Sequence, residues 1–154
     1  MGDLYEDPHP GDGLLNLVFA GTGALVGTGL AGAVVPDTFA IVHAILSGLL
    51  FVVGTGAMLW GYALGVSRSR TLVVTLPGLF FLSGGAAPPD TRRRFQIALA
   101  VQVVAVVVAA LIRPDTEVTF GVLAPVFGLG LMAMWGGRFG SFPARADVAS
   151  TPEP

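Results

Sequence analysis

The sequence predicts an all-α, polytopic membrane protein with four transmembrane helices and an interfacial or re-entrant segment between the second and third. Three observations lead there. Of the 154 residues, 53% are hydrophobic and 12% charged, with a mean hydropathy of +0.77; soluble domains carry about one-quarter charged residues. The charges interrupt long apolar stretches instead of being dispersed through them. All eight basic residues are arginines, and seven of these fall where four spans place them on one side. The length fits a single membrane domain over 1–154.

The N-terminal tail (1–12) opens with MGDLYEDPHPGD, which carries Asp3, Glu6, Asp7 and Asp12 but no Lys or Arg. It lacks the positive start of a signal peptide. It also misses the myristoylation pattern, because Glu6 stands where Ser or Thr is needed. The first span (13–35) contains no charge and exceeds the roughly 20 apolar residues that cross a bilayer. The second (38–66) ends ahead of Arg68 and Arg70. The third (92–112) is rich in Val, which favours strands in water. In lipid an open strand leaves its backbone unpaired, so a helix is expected. The fourth (118–137) contains Pro125, where a kink is expected, and a tail follows (138–154).

Segment 71–87, TLVVTLPGLFFLSGGAA, is apolar enough to suggest a fifth span. Its length is at the lower limit for spanning, and Pro77-Gly78 offers a place to turn. Charge decides the matter, because cytoplasmic loops hold the excess of arginine. Four spans put Arg68, Arg70, Arg92, Arg93, Arg94, Arg138 and Arg145 opposite Arg113 alone, whereas five spans blunt the bias. The cluster Leu79-Phe80-Phe81-Leu82 is then expected among the headgroups or tucked against the bundle. Trp60, Tyr62 and Trp135 are expected at the same interface, which puts both termini in the cytoplasm and the protein in the inner (cell) membrane.

Pro-Asp-Thr occurs at Pro36, Pro89 and Pro114, each time ahead of an apolar run. Proline keeps the preceding residue out of a helix. Asp or Thr is then expected to cap the next helix, with the Asp charge favourable to its dipole. The residues around the three copies align poorly, so shared capping chemistry is preferred to a duplication.

Small residues four apart let helices approach closely in lipid. Gly23, Gly27 and Ala31 in the first span form one such row, with Ala20, Ala24, Thr28 and Gly32 alongside. Gly61 and Gly65, preceded by Ala57, form another in the second. Packing within the bundle is the preferred reading over a dimer face. In the third span Ala98, Gln102, Ala105 and Ala109 share a face that is expected to turn inward. Gln102 should bond to a neighbouring helix, with Ser47 or Thr55 as partners, because an unpaired amide in hydrocarbon is costly.

His43 is the one ionisable side chain well inside a predicted span, which makes it a functional candidate. With no carboxylate beside it in sequence, a structural role is preferred. Arg68, Arg70, Arg92, Arg93 and Arg94 are candidates for anionic lipid headgroups, although topology alone also accounts for them. The chain has no Cys, and no Asp or Glu lies within a predicted span. It contains no catalytic or phosphate-binding motif of the familiar kinds. No cofactor, metal or nucleic acid is expected.

PGLFFLSGGAAP (Pro77–Pro88) and PVFGLGLMAMWGGRFGSFP (Pro125–Pro143) resemble small integral membrane proteins of actinobacteria. The likeness covers residues 76–145. It implies a membrane location and lends no activity. The expected function is therefore non-enzymatic, that of a structural or interaction subunit packing with itself or another membrane protein. The alternative is a small transporter or lipid-handling protein acting as an oligomer, and a polar, water-lined cavity would favour it.

Overall fold

A computed structural model describes residues 11–112 and 121–145. It contains α1 (Asp12–Val34), α2 (Pro36–Arg68), α3 (Leu76–Phe81), α4 (Pro89–Ile112) and α5 (Pro125–Phe139). Among the described residues the only β pairing is an isolated bridge between Leu72 and Ala144. Four helical stretches are long and apolar enough to cross a membrane: Asp12–Gly32, Phe39–Arg68, Pro89–Ile112 and Gly121–Phe139. The expected all-α, four-span architecture is the observed one.

Proline starts three of these four stretches or their main helix. Pro36 and Pro125 lie in the first turns of α2 and α5, and α4 begins at Pro89. Proline suits the first helical position, where its missing N–H costs nothing and its φ is already helical. This corrects two sequence expectations. The first two Pro-Asp-Thr copies do not precede their helices but open them, and α2 has no side-chain cap. Asp90 contributes through its position in the first turn of α4, near the positive end of the dipole. The third copy lies outside the described residues, as do 118–120 of the expected fourth span. Pro125 produces no mid-helix kink, because it sits at the start of α5 after a short 3₁₀ turn at 121–123.

α5 is the hub of the bundle. More than half of its spanning stretch is buried, compared with under a quarter of each of the other three. At about 1.5 Å per residue its 15 residues reach only about 22 Å. That is short for a lone span and tolerable for a helix sheathed by others. Its largest interface is with α2, and glycine makes that interface possible. A Cβ on Gly130 would strike the Gly54 carbonyl, one on Gly61 would strike the Ala133 carbonyl, and one on Gly137 would come within 2.5 Å of the Gly61 oxygen. Gly54 and Gly61 are seven residues apart on α2, as are Gly130 and Gly137 on α5. They lie two turns apart on one face of each helix, so backbone meets backbone twice along the seam.

The chain from Ser69 to Pro88 leaves and returns at one end of the bundle. Thr75 caps α3 by accepting the Gly78 amide at 3.1 Å. Leu79 and Leu82 are buried, Leu79 against Gly65 and Gly136, whereas Phe81 is half exposed. The hydrophobic cluster is thus divided between core and surface. Pro77-Gly78 is not the turn, because both residues belong to α3. The reversal comes at Leu82, Gly84 and Gly85, all at positive φ.

That end also gathers the start of α1, the end of α2, the start of α4 and the end of α5. Gly11 abuts Trp135. Arg68 donates to the carbonyls of Gly137 (3.1 Å) and Gly140 (2.7 Å), and the Ser141 amide donates to Ala86 at 2.9 Å. The seven arginines expected on one side therefore do share one end; Arg113 lies outside the described residues. Trp60 and Tyr62 are exposed on α2. Trp135 is not an interfacial belt residue. It is buried and stacked at a tilt on Phe139, with ring centroids 5.8 Å apart.

Replacing Gly130 with Leu should remove the α2–α5 seam, because the obstacle is backbone and cannot rotate aside. The loss should reach or exceed the roughly 1–3 kcal/mol of ordinary overpacking. Gly56, on α2, has open space where its Cβ would be. Gly56→Ala should hold or raise stability by up to about 1 kcal/mol through helix propensity. Thermal unfolding of the two variants in mild detergent checks the contrast.

Candidate functional site

Among the described residues four polar side chains are buried: Thr22, His43, Ser47 and Gln102. α4 turns Phe95, Ala98, Gln102 and Val106 inward, a three- to four-residue spacing along one face. Gln102 lands beside α1, and its Nε2 donates to Thr22 Oγ1 at 2.7 Å. The Thr22 hydroxyl in turn donates to the Val18 carbonyl at 2.7 Å. Of the expected inward face Ala98 and Gln102 are buried, whereas Ala105 and Ala109 are half-buried and Phe95 and Val106 complete the buried row; the partner of Gln102 is Thr22 and neither Ser47 nor Thr55. The hydroxyls of Ser47 and Thr55 are buried without a hydrogen-bond partner, and so is Gln102 Oε1.

Nearer the far end, His43 on α2 meets Thr28 on α1, with Nδ1 and Oγ1 3.0 Å apart. The Thr28 hydroxyl lies 2.8 Å from the Ala24 carbonyl and 3.2 Å from that of Leu25. With its proton engaged by those carbonyls, Thr28 accepts from His43. The proton of the neutral imidazole is thus assigned to Nδ1, and Nε2 is left as a bare acceptor. Nε2 is buried and has no hydrogen-bond partner among the described residues. His43 itself is 2% exposed.

Two further glycines make room for these long side chains. A Cβ on Gly128 would stand 2.8 Å from Gln102 Oε1, and one on Gly121 would stand 2.9 Å from His43 Nε2. Sequence reasoning missed Gly54, Gly121, Gly128, Gly130 and Gly137. The seven-residue spacing within each of the pairs 54/61, 121/128 and 130/137 was the available signal.

A cleft of about 510 Å³ opens between the far halves of α1 and α4. Its walls include Gly29 and Gly32 of α1, Ala105 and Ala109 of α4, and Val106; among the described residues His43 is its only ionisable lining residue. Hydrocarbon dominates this surface, in contrast to the polar, water-lined cavity that would favour transport. No group of three or more metal-ligating side chains occurs among the described residues.

The predicted packing glycines divide into two sets. Gly61 meets the backbone of α5 and Gly65 meets Leu79 of α3, as a packing role requires. Gly23 and Gly27 have nothing within 4 Å of their Cβ positions, so the row they form does not pack within the bundle. They point away from the buried ridge of Leu15, Val18, Thr22 and Leu25. Ala31 is half-buried.

The arginines divide as well. Arg68 bonds two carbonyls and lies over the Phe142 ring at 5.6 Å, which makes it a staple between α2 and the end of α5. Arg145, absent from the expected headgroup set, does the same for Ser69, donating from Nη2 at 2.7 Å. Arg70, Arg93 and Arg94 are exposed, and Arg92 is half-buried.

No family model matches the chain, and no match was found among curated proteins or among solved structures. The likeness to actinobacterial membrane proteins rests on its two sequence stretches alone.

The pairing of Gln102 with Thr22 leads to an ordered pair of outcomes. Hydrogen bonds between spanning helices are worth about 0.6 kcal/mol on average. Thr22→Val strands the whole Gln102 amide and should cost more than Gln102→Met, which removes the amide together with its unpaired oxygen. Unfolding of both variants in the same detergent tests the order. Equal losses would show that the bond contributes little.

Proposed function

We propose that this protein is a multi-pass inner-membrane subunit, with both termini cytoplasmic, that acts by packing the outward face of α1 against a second copy of itself. The observation that carries this reading is a row of small residues along that face, bordered by the exposed Phe19 and Leu30. Asn16, Ala20, Gly23 and Gly27 follow one another along it, all exposed. The outward faces of α2 and α4 carry Ile45, Leu49, Val52, Val104, Val107 and Leu111 instead. Lipid tails gain nothing from glycine, whereas a second helix gains close contact. A flat face is also complementary to itself about a two-fold axis, which favours a second copy over an unrelated helix.

The orientation follows from the arginine-bearing end, since arginine accumulates on the cytoplasmic side. Arg70, Arg93 and Arg94 then face anionic headgroups, at about 1 kcal/mol each. Arg68 contributes through its carbonyl bonds. No catalytic step forms part of this reading.

Because the chain has no natural Cys, Gly23→Cys should cross-link to its copy in oxidised membranes, and Val53→Cys on the lipid face of α2 should not. Gly27→Leu should abolish dimers in mild detergent while leaving the unfolding of the monomer unchanged. A monomeric wild type with no cross-link at position 23 overturns the self-association. A cross-linked adduct of another mass would assign the face to a different membrane protein.

Orientation is tested separately. Ser69→Cys and Thr91→Cys should both escape a membrane-impermeant thiol reagent in intact cells and both react in inverted vesicles. Thr116→Cys should show the reverse. Labelling of all three from the opposite sides would invert the topology.

A further inference from the structure

The row of small residues on α1 is flanked unequally. On one flank Phe19 and Leu30 stand out, both exposed. Val26, seven residues after Phe19, and Leu30 line the cleft with α4, so this flank lies on the α4 side. On the other flank, toward α2, the surface falls away into a second apolar groove of about 450 Å³. Leu14 and Leu17 of α1 and Gly56 and Trp60 of α2 line this groove, with Leu131 of α5 also contributing. Leu131 is buried, whereas Leu17 and Trp60 are exposed at the rim. A Cβ on Gly56 would meet nothing within 4 Å, so a notch opens beside that residue.

We propose that in the self-associated protein Phe19 of each copy inserts its ring into the α1–α2 groove of the other, over Gly56. This rests on the self-association read from the α1 face, and it names the side chain and the socket that complete the contact. Two copies that share one orientation in a bilayer are related by a two-fold axis along the membrane normal. About such an axis the two α1 helices run parallel, and the α4 flank of each meets the α2 flank of the other. The aromatic side chain that interrupts the small face is thereby carried to the place where the neighbouring surface is hollow.

Depth agrees as well. α1 and α2 run antiparallel, with Gly29 beside His43. An equal number of residues from that contact along each helix brings Gly56 level with Asn16, about one turn from Phe19. A helical side chain leans toward the helix N-terminus and covers the turn before its own Cα. The Phe19 ring therefore comes to the level of Gly56. In lipid the gain from association is packing, and a ring between Leu17 and Trp60 with a glycine beneath it is packed on three sides.

Paired variants test the contact, with dimerisation of the purified protein in mild detergent as the readout. Phe19→Ala empties the socket and Gly56→Phe fills it in advance. Each should weaken the dimer about tenfold. With both changes in one chain, the ring at position 56 occupies the space vacated at position 19, and most of the loss should be recovered. Losses that simply add, or no loss from either variant, overturn the contact.

Cross-linking decides independently of any change in stability. In membranes holding Phe19→Cys on one tagged copy and Gly56→Cys on a differently tagged copy, a short bis-maleimide should join the two tags. The Gly23→Cys cross-link reports self-association by itself. If position 23 links and the 19/56 pair does not, the socket is wrong and self-association stands. If neither links, self-association fails and the socket with it.

Discussion

The structure depends on how closely α2 and α5 approach. Hydrocarbon surrounds the bundle, so helices gain nothing by hiding apolar surface from one another and must associate through contact and hydrogen bonding. Gly54, Gly61, Gly130 and Gly137 remove the side chains that would keep the two backbones apart. Once α5 is held in this way it can be short, because its ends face protein. α3 closes one end against it through Leu79 and Leu82, and Arg68 ties the end of α2 to the carbonyls that follow α5. Remove the seam and α3 loses the helix it packs on, while α4 keeps its larger contact with α1.

The same device serves the polar interior at a different scale. Gly121 and Gly128 give up their side chains to make room for His43 and Gln102. Glycine in a helix interior costs about 1 kcal/mol relative to alanine, and here each one is offset by a contact a methyl group would prevent. The polar groups reached in this way are only partly satisfied. Thr22 and Thr28 each pass a hydrogen bond from a long side chain to the α1 backbone, leaving Gln102 Oε1 and His43 Nε2 over. In so apolar a setting an unpaired acceptor is expensive.

α1 is the helix with unfinished contacts on both sides. One face carries Gly23 and Gly27 outward, and another borders the cleft through Gly29 and Gly32. The two faces differ in shape: one is a row of small residues and the other a groove lined by hydrocarbon.

Composition and charge placement determined the class, the number of spans and the common end of seven arginines, because the cost of charge and open backbone in lipid acts on sequence directly. They also marked His43 and Gln102 as interior polar groups and Gly61 and Gly65 as packing positions. Partners were beyond their reach. Small residues at regular spacing look alike whether they face a helix, a lipid or a copy, so the outward direction of Gly23 and Gly27 was decided only by how α1 rotates onto α2 and α4. The choice of Thr22 for Gln102, the burial of Trp135 and the opening of the cleft were likewise decided there. Each depends on the relative height and rotation of helices far apart in sequence, which the α2–α5 seam sets and local spacing does not encode.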